Sequence, residues 1–242
     1  MLIVFAYEFP HQKTHDGLVS LVTNGNVPDL VVGAPFRKLK QSSSTGFRVT
    51  PQAMRFPPLS KLCKALGLEY IISDHDSEML LGILEKLKPK IGLILGARIL
   101  RSDLIKHFEL GIVNAHPGLL PQNRGLDNIK WAVHDSLPQG ITFHLIDKHI
   151  DRGKFIRFAP VEIFEDDTWL DLHTRNMNLQ ISLMPSIIDQ VIHKGGSLVD
   201  LSQGKYNRQM STNEETIALA RFPDYKLNYP EILKKFDVRL DF

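Results

Sequence analysis

Residues 91–121 read IGLILGARILRSDLIKHFELGIVNAHPGLLP. Two short runs, IGLILGA (91–97) and LGIVNA (110–115), are apolar without clean alternation, and residues 101–107 between them carry a helical pattern. A strand that is apolar on both faces suits a parallel sheet covered by helices, and strand, helix, strand is the crossover unit of such a sheet. The same reading extends toward the N terminus. LIVFA (2–6), DLVVGA (29–34) and EYIIS (69–73) are further strand candidates, with helical patterns over roughly 14–24, 56–66 and 77–87 between them. This alternation predicts an α/β fold, an open mostly parallel sheet flanked by helices.

Beyond residue 121 the pattern changes. GLDNIKWAVHD (125–135) has Leu126, Ile129 and Val133 at helical spacing. ITFHLID (141–147) and KFIRFAPVEI (154–163) then predict two longer strands joined by KHIDRG. A long helix is expected from about Thr168 to His193, capped by Asp166 or Asp167 and stopped by Gly195–Gly196. Pro185 falls inside it and predicts a kink or a break, because proline offers no N–H to the preceding turn. Its stripe of Leu170, Met177, Ile181, Met184, Ile188 and Val191 is a core-packing face. The expected division is a catalytic domain over 1–193 and a small C-terminal extension over 194–242 packed on it. Residues 35–58, long and bracketed by prolines, form the clearest loop, and loops of that length are often functional.

Composition narrows the function classes. Net charge is only +2, with lysines and arginines scattered among acids rather than gathered on a stripe, which argues against a nucleic-acid partner. One cysteine, Cys63 in LCKALGL, excludes an internal disulfide framework and suits a reducing, cytoplasmic location. It reads as a buried small hydrophobe. The start, MLIVFAYEF, has no basic segment ahead of its apolar run, so a first strand explains it better than a signal peptide. No run of 18 apolar residues predicts a membrane span.

The chain also lacks GxSxG, HExxH, CxxC, GxGxxG and GxxxxGK[ST], so nucleophilic, metal and nucleotide-loop readings have little to stand on. His11 and His15 are four apart at a helix start with no third ligand nearby, which suits surface residues, and His75 and His149 lie in loops. Asn114 and His116 are two apart at the end of the 110–115 run, so alternation puts their side chains on one side. Ligands of open α/β sheets bind beyond the C-terminal ends of the strands. Geometry alone leaves two readings open, a turn asparagine with a structural histidine, or the polar part of a site. Asp151, in KHIDRG, is equally a turn residue before glycine or a carboxylate brought to that site. Asparagine can donate to an oxyanion, histidine can donate or transfer a proton, and a carboxylate can accept one. Three such groups around one carbon suit acyl transfer to an amine without a covalent enzyme intermediate. His144 lies on a strand face with Thr142 and Ile146, and both a satisfied sheet histidine and a site-lining residue remain open.

Several of these pieces together resemble the folate-dependent formyltransferases. The first is Asn114-Ala-His116-Pro117-Gly118-Leu119-Leu120-Pro121 followed by Arg124-Gly125. Gly140-Ile141-Thr142-Phe143-His144-Leu145-Ile146-Asp147 and then Asp151-Arg152-Gly153 follow in the family's order. The resemblance is specific over 91–165 and looser elsewhere. It implies a formyltransferase, Rossmann-like fold, Asn114, His116 and Asp151 as the catalytic trio, and N10-formyltetrahydrofolate as formyl donor. It also implies a pterin site against the 93–100 segment and the 145–151 loop, with Leu95, Gly96, Ile99, Leu100 and Asp147 as candidate contacts. Arg124 and Gly125, with Asn123, are candidates for the substrate side.

Within the superfamily, the methionyl-tRNA enzymes add a large C-terminal domain, whereas about 50 residues follow the long helix here. The glycinamide ribonucleotide enzymes carry a glycine-containing phosphate loop after the first strand; here FAYEFPHQKTH supplies no glycine before Gly17. The formyltetrahydrofolate hydrolases carry an N-terminal regulatory domain, and this sequence starts at the first core strand. The sugar N-formyltransferases remain, with NRGLDNIKWAV and GKYNRQMS as added points of similarity. They act on nucleotide-linked aminosugars for surface polysaccharides such as lipopolysaccharide O-antigen, and homodimers are common among them. The expected reaction is formyl transfer to a nucleotide-linked amino-deoxy sugar, dTDP-linked by preference, held by the 35–58 loop and the C-terminal extension. The alternatives are a glycinamide ribonucleotide-type formyltransferase and a non-enzymatic binding module on the same fold.

Overall fold

A computed structural model describes residues 1–37, 56–194 and 198–240. The chain runs β1 (Leu2–Tyr7), α1 (Gln12–Thr23), β2 (Leu30–Ala34), α2 (Leu59–Leu66), β3 (Tyr70–Ile72), α3 (Glu78–Leu87), β4 (Ile91–Ile94) and α4 (Ser102–Ile105). It continues through β5 (Ile112–His116), β6 (Arg124–Gly125), α5 (Asn128–Asp135), β7 (Gly140–Leu145), β8 (Lys154–Pro160) and α6 (Trp169–Lys194). The C-terminal part holds β9 (Val199–Asp200), β10 (Tyr206–Asn207), α7 (Thr212–Leu227) and α8 (Tyr229–Lys235).

Eight strands form the main sheet in the order β3-β2-β1-β4-β5-β7-β8-β9. The first five are parallel, and β7, β8 and β9 join antiparallel. The predicted α/β class and mostly parallel sheet are therefore observed. The missing alternation in β1 has a direct physical reason. Leu2, Val4 and Ala6 pack into one buried cluster with Leu18 and Leu21 of α1, Leu62 of α2 and Met184 and Ile188 of α6. Ile3 and Phe5 point the other way, into a second cluster with Leu80 and Leu84 of α3 and Leu104 of α4. Both faces of the strand meet helices, so both must be apolar. Cys63 lies in the first cluster, and burial pushes its thiol up to about 11, as a small core hydrophobe requires.

Several local expectations are corrected. Helix α6 runs unbroken through Pro185. Its N-terminal cap is neither Asp166 nor Asp167. Thr168 and Asp171 exchange bonds instead, Thr168 N donating to Asp171 Oδ2 at 2.8 Å and Asp171 N to Thr168 Oγ1 at 3.3 Å. Asp167 is drawn away by Arg175, whose two guanidinium nitrogens reach its oxygens at 2.7 and 2.8 Å. His11 is the N-cap of α1, accepting from Thr14 N, and is half-buried rather than on the surface. Gly125, expected in a helix, lies in β6, and α5 starts at Asn128. Most of the 35–58 loop and the Gly195–Gly196 stop fall outside the described residues.

The C-terminal segment packs on the core through aromatics. Phe222, Tyr225, Tyr229 and Leu233 cluster with Val133 of α5, Val161 just after β8, and Leu172 of α6. Tyr229 Oη donates to Val161 O at 2.9 Å and Tyr225 Oη to Leu137 O at 2.6 Å, so the buried phenols are satisfied. Among the described residues, no helix is long and apolar enough to cross a membrane.

Candidate active site

Strand β5 is the last parallel strand, and its neighbour β7 is the first antiparallel one. Their register sets Asn114 opposite His144 and His116 opposite Thr142. Four polar side chains therefore share one face at the seam, while Ala115 turns into the core.

Asn114 Nδ2 donates to His144 Nε2 at 3.2 Å. The other ring nitrogen, His144 Nδ1, is 2.9 Å from the Arg152 carbonyl. A carbonyl only accepts, so Nδ1 carries the hydrogen and Nε2 presents its lone pair to the asparagine amide. Burial, and then the neighbouring His116, push His144 down to about 4, which keeps it in that neutral form at neutral pH. The second N–H of Asn114 stays available.

His116, 4% exposed, is held at both nitrogens. Nε2 donates to the Asn123 carbonyl at 2.7 Å, and Nδ1 lies 3.2 Å from Asp151 Oδ1. Two acceptors facing one ring are both satisfied by an imidazolium, which has two N–H donors. The second oxygen of Asp151 accepts from Gly125 N at 2.7 Å. Burial pushes the Asp151 carboxyl upward, but the His116 contact and the Gly125 N–H outweigh it and leave the group below the usual carboxylate range. Asp151 itself adopts a left-handed backbone, φ 49°. Such a conformation in a non-glycine residue costs free energy and persists where the surroundings enforce it. Gly153 assists, since a Cβ there would run into the Leu145 carbonyl.

The 117–121 segment is tied down from β7. Thr142 Oγ1 donates to Gly118 O at 2.6 Å and accepts from Leu120 N at 3.1 Å. A Cβ on Gly118 would sit 3.2 Å from His116 Nε2 and 3.0 Å from Asn123 O, so the chain passes close to the histidine only because glycine is there.

Asn114, His116 and Asp151 are thus brought together from 37 residues of sequence, with Gly125 beside them. The other candidates take different places. Arg124 is buried, and its guanidinium donates to Ile150 O at 2.6 and 3.2 Å and to Gly204 O at 3.3 Å. Asn123 is fully buried, with Nδ2 donating to Asn128 O at 2.9 Å. Leu95 and Leu100 are in the two cores, while Ile99 is 70% exposed. Gly96 donates to Phe5 O at 3.0 Å, and a Cβ there would meet the Tyr7 ring at 2.7 Å. Asp147 accepts from His149 N at 2.7 Å within its own turn.

Sequence reading passed over Lys13. Its ammonium lies 3.3 Å from the Ala115 carbonyl, between Asn114 and His116, and burial lowers it to about 8. The separation of 102 residues left no local signal for this contact. A cleft of about 290 Å³ between β8 and α6, lined by Arg157, Ala159, Val161, Arg175 and Leu179, involves none of the trio.

The formyl transferase family model matches residues 46–188, more than half of the chain and the whole of the seam. The chain belongs to the formyl transferase family. The methionyl-tRNA formyltransferase of Caldanaerobacter subterraneus subsp. tengcongensis is 28% identical over 152 residues, 61% of this chain and 48% of that protein. The phosphoribosylglycinamide formyltransferase of Bacillus subtilis is 32% identical over 96 residues, 39% of this chain and 49% of that one. The chain spans about half the length of these curated relatives. Among solved structures, a sugar N-formyltransferase from a Shewanella species superposes with a TM-score of 0.61 at 20% identity, covering 91% of this chain and 87% of its own. Phosphoribosylglycinamide formyltransferase from Bacillus halodurans gives 0.60 at 20% identity, covering 81% of this chain and 97% of its own. These likenesses confirm the formyl transferase architecture.

Proposed function

We propose that the protein transfers a formyl group from N10-formyltetrahydrofolate to the amino group of a nucleotide-linked amino-deoxy sugar, dTDP-linked by preference. The observation that carries the transfer chemistry is the His116–Asp151 contact of 3.2 Å beside Asn114, in a chain of this family. The trio offers an amide donor, a proton-bearing imidazole and a carboxylate, and its members need no covalent intermediate.

The donor's chemistry fits this edge of the sheet. Segment 95–100 follows β4, the parallel neighbour of β5, and the turn after β7 brings Asp151 to His116. Leu95, Gly96, Ile99, Leu100 and Asp147 are our candidates for that side, with the backbone rather than the buried leucine side chains making the contact. When bound, the donor supplies a formyl carbon activated by its attachment to N10. Asn114 Nδ2 would donate to the formyl oxygen as negative charge develops there, and the positive charge of a protonated His116, whose two N–H groups face Asn123 O and Asp151, would stabilise that charge through space. Asp151 would accept the proton of the attacking amine, directly or through water, or orient His116 and help its protonation. His116 would give a proton to the departing N10, breaking one of its two contacts to do so, and the proton taken from the amine would then restore the imidazolium.

Two points support the sugar branch. The superposition on the Shewanella sugar N-formyltransferase extends over 91% of this chain, against 79–86% for the phosphoribosylglycinamide formyltransferases. The segment after β1, Glu8-Phe9-Pro10-His11-Gln12, also has no glycine to turn backbone amides onto a phosphate. We read 1–193 as the catalytic unit and 194–242 as an extension that completes it. The test is formyl transfer from N10-formyltetrahydrofolate to a panel of aminosugar nucleotides and glycinamide ribonucleotide. Turnover of an aminosugar nucleotide is expected. Turnover of glycinamide ribonucleotide alone would reassign the substrate, and turnover of neither would reject transfer to these amines.

A further inference from the structure

His116 and Asp151 both lean on the tripeptide Asn123-Arg124-Gly125. The Asn123 carbonyl takes the His116 Nε2 hydrogen at 2.7 Å, and Gly125 N donates to Asp151 at 2.7 Å. The other side of that tripeptide is held by the C-terminal segment. Strand β10 pairs in parallel with β6, Tyr206 opposite Arg124 and Asn207 opposite Gly125. Arg124 N donates to Lys205 O at 3.2 Å, and Leu126 N donates to Asn207 O at 2.9 Å. Gly125 has φ 97°, and a Cβ there would collide with the Asn207 carbonyl, so the two strands meet closely at this point.

Three buried asparagines interlock beneath the tripeptide. Asn207 Nδ2 donates to Asn123 Oδ1 at 2.9 Å. Asn128 Nδ2 donates to the Asn123 carbonyl at 3.0 Å, sharing that oxygen with His116. Asn207 is 2% exposed, and its Oδ1 has no hydrogen-bond partner among the described residues. A buried amide that leaves one polar atom unmet is a poor choice for packing alone, since an apolar side chain would avoid the desolvation cost. Its N–H₂ group is spent on Asn123.

We propose that Asn207 is a positioning residue for His116 and Asp151, acting through Asn123 and Gly125. It lies outside the residues 46–188 that the family model covers, so the C-terminal segment contributes to the geometry of the catalytic pair as well as to packing. The proposal rests on the formyl-transfer reading of that pair.

The experiment compares wild type with Asn207→Ala by steady-state kinetics across pH and by NMR of the His116 imidazole. The expected result is a fall in kcat of about tenfold or more, since small misplacement of reacting groups is costly. KM for the amine should be little changed, the pH–rate profile displaced, and the His116 resonances moved. A lower Tm with kcat per folded molecule, pH profile and His116 resonances all unchanged would overturn the proposal and leave Asn207 a packing residue. If Asn207→Ala does not fold, Asn207→Asp keeps the volume and sets an acceptor against Asn123 Oδ1, and the same outcomes apply. If the wild type transfers no formyl group, the formyl-transfer reading fails on its own. The His116 resonances then still decide whether Asn207 positions that ring.

Discussion

The two halves of the main sheet differ in what they bury. The parallel half, β3-β2-β1-β4-β5, hides Val4, Phe5, Val31, Val32 and Leu93 between helices on both faces. The antiparallel half begins with β7, where Thr142 and His144 are as fully buried as Phe143 between them. A buried apolar strand needs only shape, whereas a buried polar strand needs a partner for each group. Those partners come from β5 and from the turns on either side of it. The polar groups of the candidate site therefore gather where the direction of the sheet changes, at Asn114 and His116 against His144 and Thr142.

The sharpest way to break this contrast is to truncate one side chain in each half. Asn114→Ala should lower kcat by 10² to 10³, about 3–4 kcal/mol of transition-state stabilisation, with a smaller folding cost of about 1–3 kcal/mol from the unmet His144 Nε2. Leu93→Ala, on the adjacent parallel strand, should do the reverse. It should cost about 2–5 kcal/mol of folding stability by opening a cavity, with kcat per folded molecule unchanged. Steady-state kinetics and denaturant titration on both variants decide it. Equal loss of turnover in the two would mean that the polar seam has no separate role.

The contrast also explains what the sequence could disclose. The five parallel strands were legible because each is a short apolar run, and in β1, β2, β4 and β5 hydrophobicity on both faces is the signature of burial under helices, whereas β3 at the sheet edge leaves Tyr70 and Ile72 exposed. Asn114, His116 and Asp151 were legible as a constellation through the resemblance to the formyltransferases, since strand ends and a connecting turn alone left a structural reading open for each. His144 was not resolved between a sheet histidine and a site residue, since alternation gives the face of a side chain but not its hydrogen-bond partner. The Asn207–Asn123 bond was not legible, since 84 residues separate the two and no local pattern announces it. The Asp167 cap failed for a similar reason. Arg175, eight residues on, competes for that carboxylate, and a helix-start rule does not contain that competitor.

A second test uses pH to load the seam. The unfolded chain binds a proton on His144 from about the ordinary histidine value of 6.5, while the folded protein does so only near 4. Its contribution is fully present above pH 6.5 and is lost as pH falls from 6.5 toward 4. The shift corresponds to about 3 kcal/mol. His11, also lowered to about 4 by burial and then by Lys13, acts with the same sign, so part of the slope belongs to α1. His144→Asn retains a donor for Arg152 O but cannot titrate. Urea unfolding between pH 4 and 7 should show a shallower loss in this variant. An identical slope would place the acid sensitivity outside the seam.

Thr142 gives a smaller, purely structural reading of the same strand. Thr142→Val removes the hydroxyl that donates to Gly118 O and accepts from Leu120 N, leaving two buried backbone groups without their partner. About 2 kcal/mol should be lost in denaturant titration. Because the 117–121 segment passes over His116, part of the effect should also appear in kcat. A stability loss confined to the apolar scale of a single methyl exchange would show that the backbone groups find other partners.

The smallest effect tests whether the C-terminal segment shares the stability of the sheet or stands apart from it. Helix α7 starts with a capping box. Ser211 Oγ accepts from Glu214 N at 3.4 Å, and Ser211 N donates to Glu214 Oε2 at 2.8 Å. Ser211→Ala removes the side-chain half of that exchange and should cost about 1 kcal/mol. Where that loss appears is the informative part. Tyr225 and Tyr229 donate to carbonyls of the 137–161 region, and β10 is hydrogen-bonded to β6 beside His116 and Asp151. These connections make α7 part of one cooperative unit with the antiparallel half, so the loss is expected in the global unfolding free energy. Native-state hydrogen exchange separates the cases, because a locally fraying helix would lose protection in α7 while the amides of β5 and β7 kept theirs. Protection falling together in α7, β5 and β7 would mean that the polar seam and the C-terminal segment stabilise each other. That would also give a physical reason for a positioning asparagine so far along the chain.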